Sequence, residues 1–236
     1  MKKQPLVSVL MRTYNRADYL AEAINSVINQ TYSNWELLIG DDGSTDSTER
    51  LVTYFLKKDP RIKYFKKDHT GIADTGNFLA DLANGDILCQ ADADDIQLPD
   101  KIDIVLEGLD DPEIDFTYSG YYHANPKGEI WQYIPPKPMT IENIKRNEVG
   151  AGESIAYRHH VWEKTPYRQE MVINDDAAFW VDLYKAHYRY SIVDKPSFKY
   201  RMLADGTSYA KKDEVDQLTL EVYKELDGST EGVKLK

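Results

Sequence analysis

The order of apolar and polar positions along the first half of the chain predicts strands and helices in alternation. Leu6–Met11 is a short apolar run of the length expected for a buried strand. From about Arg16 to Gln30, Leu20, Ala23, Ile24, Val27 and Ile28 recur at helical spacing and mark one apolar face. Apolar runs at Trp35–Gly40, Ile62–Phe65, Asp86–Ala91 and Ile114–Ser119 predict further strands. Between them fall helices ending at Lys58 (capped by Ser44 or Asp46), over Ile72–Ala83, and from Pro99 to Leu109. Asn84-Gly85 is expected to stop the second of these as a left-handed terminator. Such alternation predicts an α/β fold with a mostly parallel sheet covered on both faces. Ligands of such sheets sit beyond the carboxyl ends of the strands.

After Pro112 the rhythm changes, which divides sub-structures within one domain. Tyr121–Ile134 reads as a hairpin turning at Asn125-Pro126-Lys127-Gly128, followed by the stiff connector Pro135-Pro136-Lys137-Pro138. A strand near Glu153–Arg158, a helix from Asp176 to about Ala186, and strands near Tyr190–Val193 and Ser197–Leu203 follow. Lys212–Leu226 reads as an exposed helix and the last residues as a loose tail.

Composition narrows the classes. The 236 residues carry 29 Lys and Arg against 40 Asp and Glu, a formal charge of −11. That excess, with no basic stripe, excludes a nucleic-acid partner. A lone cysteine, Cys89, excludes a disulfide framework and reads as a small core residue. No apolar run approaches the ~18 residues of a membrane span, so no integral membrane segment is expected and the location reads as cytoplasmic.

The acids themselves are clustered. Asp92-Ala93-Asp94-Asp95 ends one predicted strand and Asp41-Asp42 another, so a parallel sheet would bring both to one crevice. Carboxylates this close repel unless a cation or hydrogen bonds compensate, and hard oxygen donors suit Mg2+ or Mn2+. A third pair, Asp175-Asp176, opens a helix carrying Phe179, Trp180 and Leu183, where a plain N-terminal cap competes with a catalytic role. An EF-hand fails because Gln97 stands where the loop needs Gly. Glycine-rich phosphate loops of the Rossmann and Walker types are absent. Asp92-Ala93-Asp94-Asp95-Ile96 is a near miss to the nucleophile motif of haloacid-dehalogenase phosphatases, which would use Asp92. His159 and His160 are expected on opposite faces of a strand, and His69 at the rim of the crevice. Trp131, Tyr133, Tyr157, Trp162 and Trp180 could offer flat faces to sugar rings, with core packing the first reading for most.

Val7–Arg16, Ser26–Tyr32, Asp41–Asp46, Asn84–Asp86, and Asp92–Asp95 with Leu98-Pro99 together resemble glycosyltransferase family 2. The resemblance implies a GT-A fold and inverting transfer of a sugar from a nucleotide diphosphate, first of all a UDP-sugar, to a hydroxyl of a glycan or other acceptor in polysaccharide or surface-glycan synthesis. It implies one catalytic domain over 1–236: a nucleotide-sugar half to 111, an acceptor half over 112–210, and a C-terminal helix and tail. Arg12, Thr13, Tyr14, Asp42, Gly71, Asp92 and Ala93 would face the nucleotide, with Tyr14 stacked on the base. Asp94, with Asp92, would hold Mn2+ or Mg2+, and Asp175 or Asp176 would be the base. The location implied is cytoplasmic, or peripheral to the cytoplasmic face of a membrane. Two departures matter: Arg12 stands where many members have Pro, and Gly76-Asn77 where many have Arg-Asn. Arg12 is expected to replace the missing charge. The alternatives are the phosphatase and a non-catalytic nucleotide-sugar-binding module.

Overall fold

Strands β1 (Val7–Thr13) and β2 (Trp35–Asp41) are buried at every position, which requires cover on both faces of their sheet. In the computed structural model, which describes residues 4–171, 175–204 and 220–227, that cover is present. Val9, Met11, Leu37 and Ile39 point to one side, onto helices α1 (Ala17–Ile28) and α2 (Thr48–Leu56). Leu10 and Leu38 point to the other, onto α3 (Ile72–Leu82) and the aromatic residues of the second half. The period-two alternation of each strand therefore feeds two separate cores.

Among the described residues the sheet runs β3-β2-β1-β4-β8-β6-β9-β5, with β7 on β6. β3 (Ile62–Lys66), β2, β1 and β4 (Ile87–Asp92) are mutually parallel. β8 (Ile155–Arg158) runs antiparallel between β4 and β6 (Phe116–Ala124). Register sets Thr13 opposite Asp41 and Arg12 opposite Asp92, so both acidic strand ends flank the end of β1.

Several elements depart from the sequence reading. The two strands expected over 190–203 are one, β9 (Tyr190–Arg201), whose ladder with β6 shifts where Pro196 meets Gly120. Proline removes a donor, so the pairing slips there and then resumes. A short β5 (Ile96–Gln97) precedes α4 (Lys101–Gly108), which starts later than Pro99. The hairpin turn forms as expected, with Gly128 at φ +78° before β7 (Ile130–Ile134). α5 (Ile141–Lys145), too short to announce itself by periodicity, is capped by Thr140. Asn84-Gly85 makes no left-handed stop; Gly85 is there because a Cβ would lie 2.6 Å from the Ser8 backbone nitrogen of β1. His159 and His160 open α6 (His159–Lys164) instead of alternating on a strand. α7 spans Asp175–Lys185. Of the helix expected at 212–226, residues 212–219 and the tail from 228 lie outside the described residues. The described part is not an exposed face: Val222, Tyr223 and Leu226 are buried in the core. No helix among the described residues is long and apolar enough to cross a membrane.

One buried cation bolts these layers together. Lys101 of α4 is fully enclosed, and its ammonium donates to the Gln90 carbonyl (2.9 Å), the Glu153 carbonyl (3.0 Å) and the Glu153 carboxylate (3.2 Å). Replacing Lys101 with Met should strand Glu153 as a buried charge and cost about 3–5 kcal/mol in a urea titration. Adding Glu153→Gln should recover much of that loss; an equal cost in single and double variants would refute the pairing.

Candidate active site

The crevice is built from the turns that follow β1, β2 and β4. Asn15, at φ +51°, turns the chain after β1; its side-chain carbonyl accepts from Thr45 N (2.8 Å) and Asp46 N (3.3 Å). Asp46 in turn accepts from Ala17 N and Thr48 N, each 3.0 Å, and so caps the first turns of α1 and α2 together. Asp41 is a turn residue: it accepts from Ser44 N (2.7 Å) and from the Tyr64 hydroxyl.

Asp42 organises one wall. Its carboxylate accepts from Thr70 N (2.9 Å) and Gly71 N (3.0 Å) and lies 2.7 Å from His69 Nδ1. Gly71, at φ +109°, permits the reversal into α3 that aims those amides at Asp42. The Tyr14 ring stacks on His69, with centroids 4.2 Å apart and 19° between planes, and 43% of Tyr14 remains exposed. Thr13 is buried beside them with no partner for its hydroxyl. Tyr14, Asp42 and Gly71 thus stand together, as the sequence places them, and His69 joins them.

The opposite wall is acidic. Oxygens of Asp92, Asp95 and Glu153 all lie within 4.8 Å of one another. Asp92 N donates to Glu153 Oε2 (3.2 Å), and Asp95 accepts from Arg201 N (2.7 Å) while its second oxygen is buried without a partner. Asp94 turns to Arg16 Nε at 3.0 Å, and Ala93 is buried behind the loop. Burial, and then the neighbouring negative charge, push the carboxyls of Asp94, Asp95 and Glu153 upward. An all-oxygen set with an orphaned, enclosed oxygen fits a hard divalent cation. Glu153 escaped the sequence reading because a lone acid in Gly150-Ala151-Gly152-Glu153 carries no spacing signal; only the fold brings it under Asp92.

Between the walls runs Arg12, almost wholly buried. It is ion-paired to Asp175 and lies 3.4 Å from Asp92, and its guanidinium sits 5.5 Å from the Tyr167 ring. Burial works against its charge, but Asp175 and Asp92 outweigh it and raise its affinity for the proton. A Cβ at Gly76 would lie 3.5 Å from the Arg12 Cδ, so the side chain from β1 runs past the position where an arginine was missed. Asp176 makes no ion pair among the described residues; its carboxylate accepts from Ala177 N (2.9 Å). Burial, then the charge of Asp175, raise its pKa to about 6. Tyr157 and Trp180 are buried packing residues, whereas Trp131 is 53% exposed.

Comparison with known proteins identifies the family and the fold. The glycosyl transferase family 2 model matches residues 8–161. A glycosyltransferase of Methanocaldococcus jannaschii is 27% identical over 207 residues, 84% of this chain and 71% of that protein. An Escherichia coli protein described as UDP-Glc:alpha-D-GlcNAc-diphosphoundecaprenol beta-1,3-glucosyltransferase is 29% identical over 182 residues, 76% of this chain and 70% of its own length. The chain spans only 23% of a Rickettsia conorii glycosyltransferase that is 41% identical over 138 residues. Among solved structures, a Pyrobaculum calidifontis mannosyltransferase in complex with GDP-Man and Mn2+ superposes with a TM-score of 0.73 at 19% identity, covering 98% of this chain and 67% of that one. The phosphatase alternative falls with these matches, since Asp92 ends the fourth strand of a different fold. The sheet order, the acidic strand ends and the family match agree: the chain belongs to glycosyl transferase family 2 and is a glycosyltransferase of GT-A fold.

Proposed function

We propose that this glycosyltransferase moves a sugar, with inversion, from a nucleotide diphosphate to a glycan hydroxyl in polysaccharide or surface-glycan synthesis. A UDP-sugar is the first candidate donor, supported by the name of the Escherichia coli relative. The observation that carries the reading is the division of labour across the crevice. Asp175 is spent on Arg12, whereas Asp176 keeps an unpaired carboxylate whose proton affinity suits a base near neutrality. Residues to 111 form the donor half and those over 112–210 the acceptor half. The matching location is the cytoplasm or the cytoplasmic face of a membrane.

In this reading Tyr14 offers a ring to the base, while Asp42, with Thr13 and Gly71, shapes the pocket for its polar edge. Mn2+ or Mg2+ would be held by Asp92 and Asp94, with Asp95 and Glu153 as further oxygens behind Asp92. When bound, the ion neutralises a diphosphate that carboxylates alone would repel and stabilises the departing nucleotide. Asp176 takes the proton of the acceptor hydroxyl as that oxygen bonds to the anomeric carbon and the bond to the diphosphate oxygen breaks. Arg12 holds Asp175 in place beside it.

A thermal-shift screen of UDP- and GDP-sugars with Mn2+ should find one that stabilises the protein, by about 2.7 kcal/mol at a hundred times its Kd. Asp92→Ala or Asp94→Ala should remove the metal-dependent part. Absence of any metal-linked nucleotide effect would sink the reading.

Asp176→Asn should lower donor turnover by roughly 10²–10⁴-fold with nucleotide binding intact. Binding without turnover in the unmodified enzyme would instead favour the non-catalytic module. Asp176 holds its proton more tightly folded than unfolded, so its stabilising contribution is complete below the unfolded value of 3.8 and lost as pH rises through about 6. The Asn variant should therefore exceed the parent in stability at alkaline pH by on the order of 2 kcal/mol, the gap closing in acid.

Arg12→Ala should move the acid limb of turnover above pH 6, because the Arg12 charge lowers Asp176. An unmoved limb together with weakened nucleotide binding would return Arg12 to the donor.

A further inference from the structure

Asp42 is only 4% exposed, and a carboxylate so enclosed needs donors on both oxygens. Two of them are backbone amides, Thr70 N and Gly71 N, fixed by the turn into α3. The third is a side chain. His69 Nδ1 lies 2.7 Å from Asp42 Oδ2 and 3.0 Å from the Asp42 carbonyl oxygen. Both oxygens are acceptors, so Nδ1 carries the proton and donates. Lys67 Nζ stands 3.9 Å from the same carboxylate, but it is ion-paired to Asp74.

The imidazole therefore makes two contacts at once: its ring lies on the Tyr14 ring, and its N–H meets Asp42. These are the two contacts assigned above to the nucleobase, a stack on Tyr14 and a polar edge at Asp42. A flat base that makes both must lie where the Tyr14 face and the Asp42 carboxylate are reached together, and His69 holds that place. Imidazole and base cannot share it. The backbone amides cannot leave without undoing the turn, whereas 57% of the His69 side chain is exposed. The backbone of His69 is pinned, because a Cβ at Gly43 (φ +82°) would lie 3.0 Å from His69 N. Departure of the imidazole is thus a side-chain rotation, which at an exposed position is fast compared with binding.

We infer that His69 is a placeholder for the nucleobase: it holds the base site and satisfies Asp42 until a nucleotide arrives, and it must rotate out for the base to bind. The inference rests on the reading of Tyr14 and Asp42 as the base pocket and adds the residue that sets nucleotide affinity there. The exchange is donor for donor, since an N–H of the base replaces the Nδ1–H on Asp42 and the enclosed carboxylate is never left short of a partner. Apparent affinity is then the intrinsic affinity reduced by the fraction of protein with His69 rotated out.

The test compares the parent protein with His69→Ala by calorimetry, using UDP and GDP with Mg2+. Removing the imidazole should tighten binding of the nucleotide that the parent accepts by roughly three- to tenfold, because the base no longer competes for its place. Weaker binding in the variant would make His69 part of the platform under the base, and unchanged binding would make it a bystander; either result overturns the inference. A second readout follows the parent itself by proton NMR. Among the five histidines, the His69 ring signal is the one absent from the variant. On saturation with the same nucleotide and Mg2+ it should move downfield as the ring leaves the face of Tyr14. A His69 signal that keeps its place in the saturated protein would overturn the inference as well. If neither protein binds either nucleotide, the donor reading itself fails, and the inference with it.

Discussion

Carboxylates crowded at one edge of a sheet are the constraint around which this molecule is assembled. Asp92, Asp94, Asp95, Glu153, Asp175 and Asp176 would drive one another apart if left alone in a poorly solvated crevice. They are held by cations from dispersed parts of the chain, Arg12 on β1, Arg16 before α1 and Lys101 on α4, and by the backbone amide of Arg201 at the end of β9, which donates to Asp95. Fastening the acids is thus also what fastens the late strands and helices to the early sheet. The two problems have one solution.

That solution leaves the acids unequal. Lys101 neutralises Glu153 from behind, and Arg12 commits Asp175, so these groups serve as supports. Among the described residues, Asp176 and the second oxygen of Asp95 are left without a cation. Selective pairing thus separates acids tied to a cation from acids that are not. The same logic distinguishes Asp41, absorbed by its own turn and Tyr64, from Asp42, which stands between the 69–71 loop and the Tyr14 ring.

Strand and helix identity in the first half was readable because each element carries its own period and each turn its own polar signal. Errors began where structure depends on partners far along the chain. Gly85 reads locally as a helix stop, yet its role comes from the backbone of β1 pressed against it. His159 and His160 read as strand because the preceding residues are apolar, but the chain turns into α6 there. Lys212–Leu226 reads as an exposed helix, yet Val222, Tyr223 and Leu226 enter a core that belongs to elements much earlier in sequence.

The sequence by itself determined the alternating α/β order, the acidic strand ends and the family resemblance, since all three are written in local spacing. Tertiary structure alone decided that Glu153 joins Asp92 and Asp95 and that Arg12 is spent on Asp175. Those facts concern pairs separated by tens to well over a hundred residues. No local pattern encodes such distances; they arise only when the sheet register sets Arg12 against Asp92 and packing lays α7 across both.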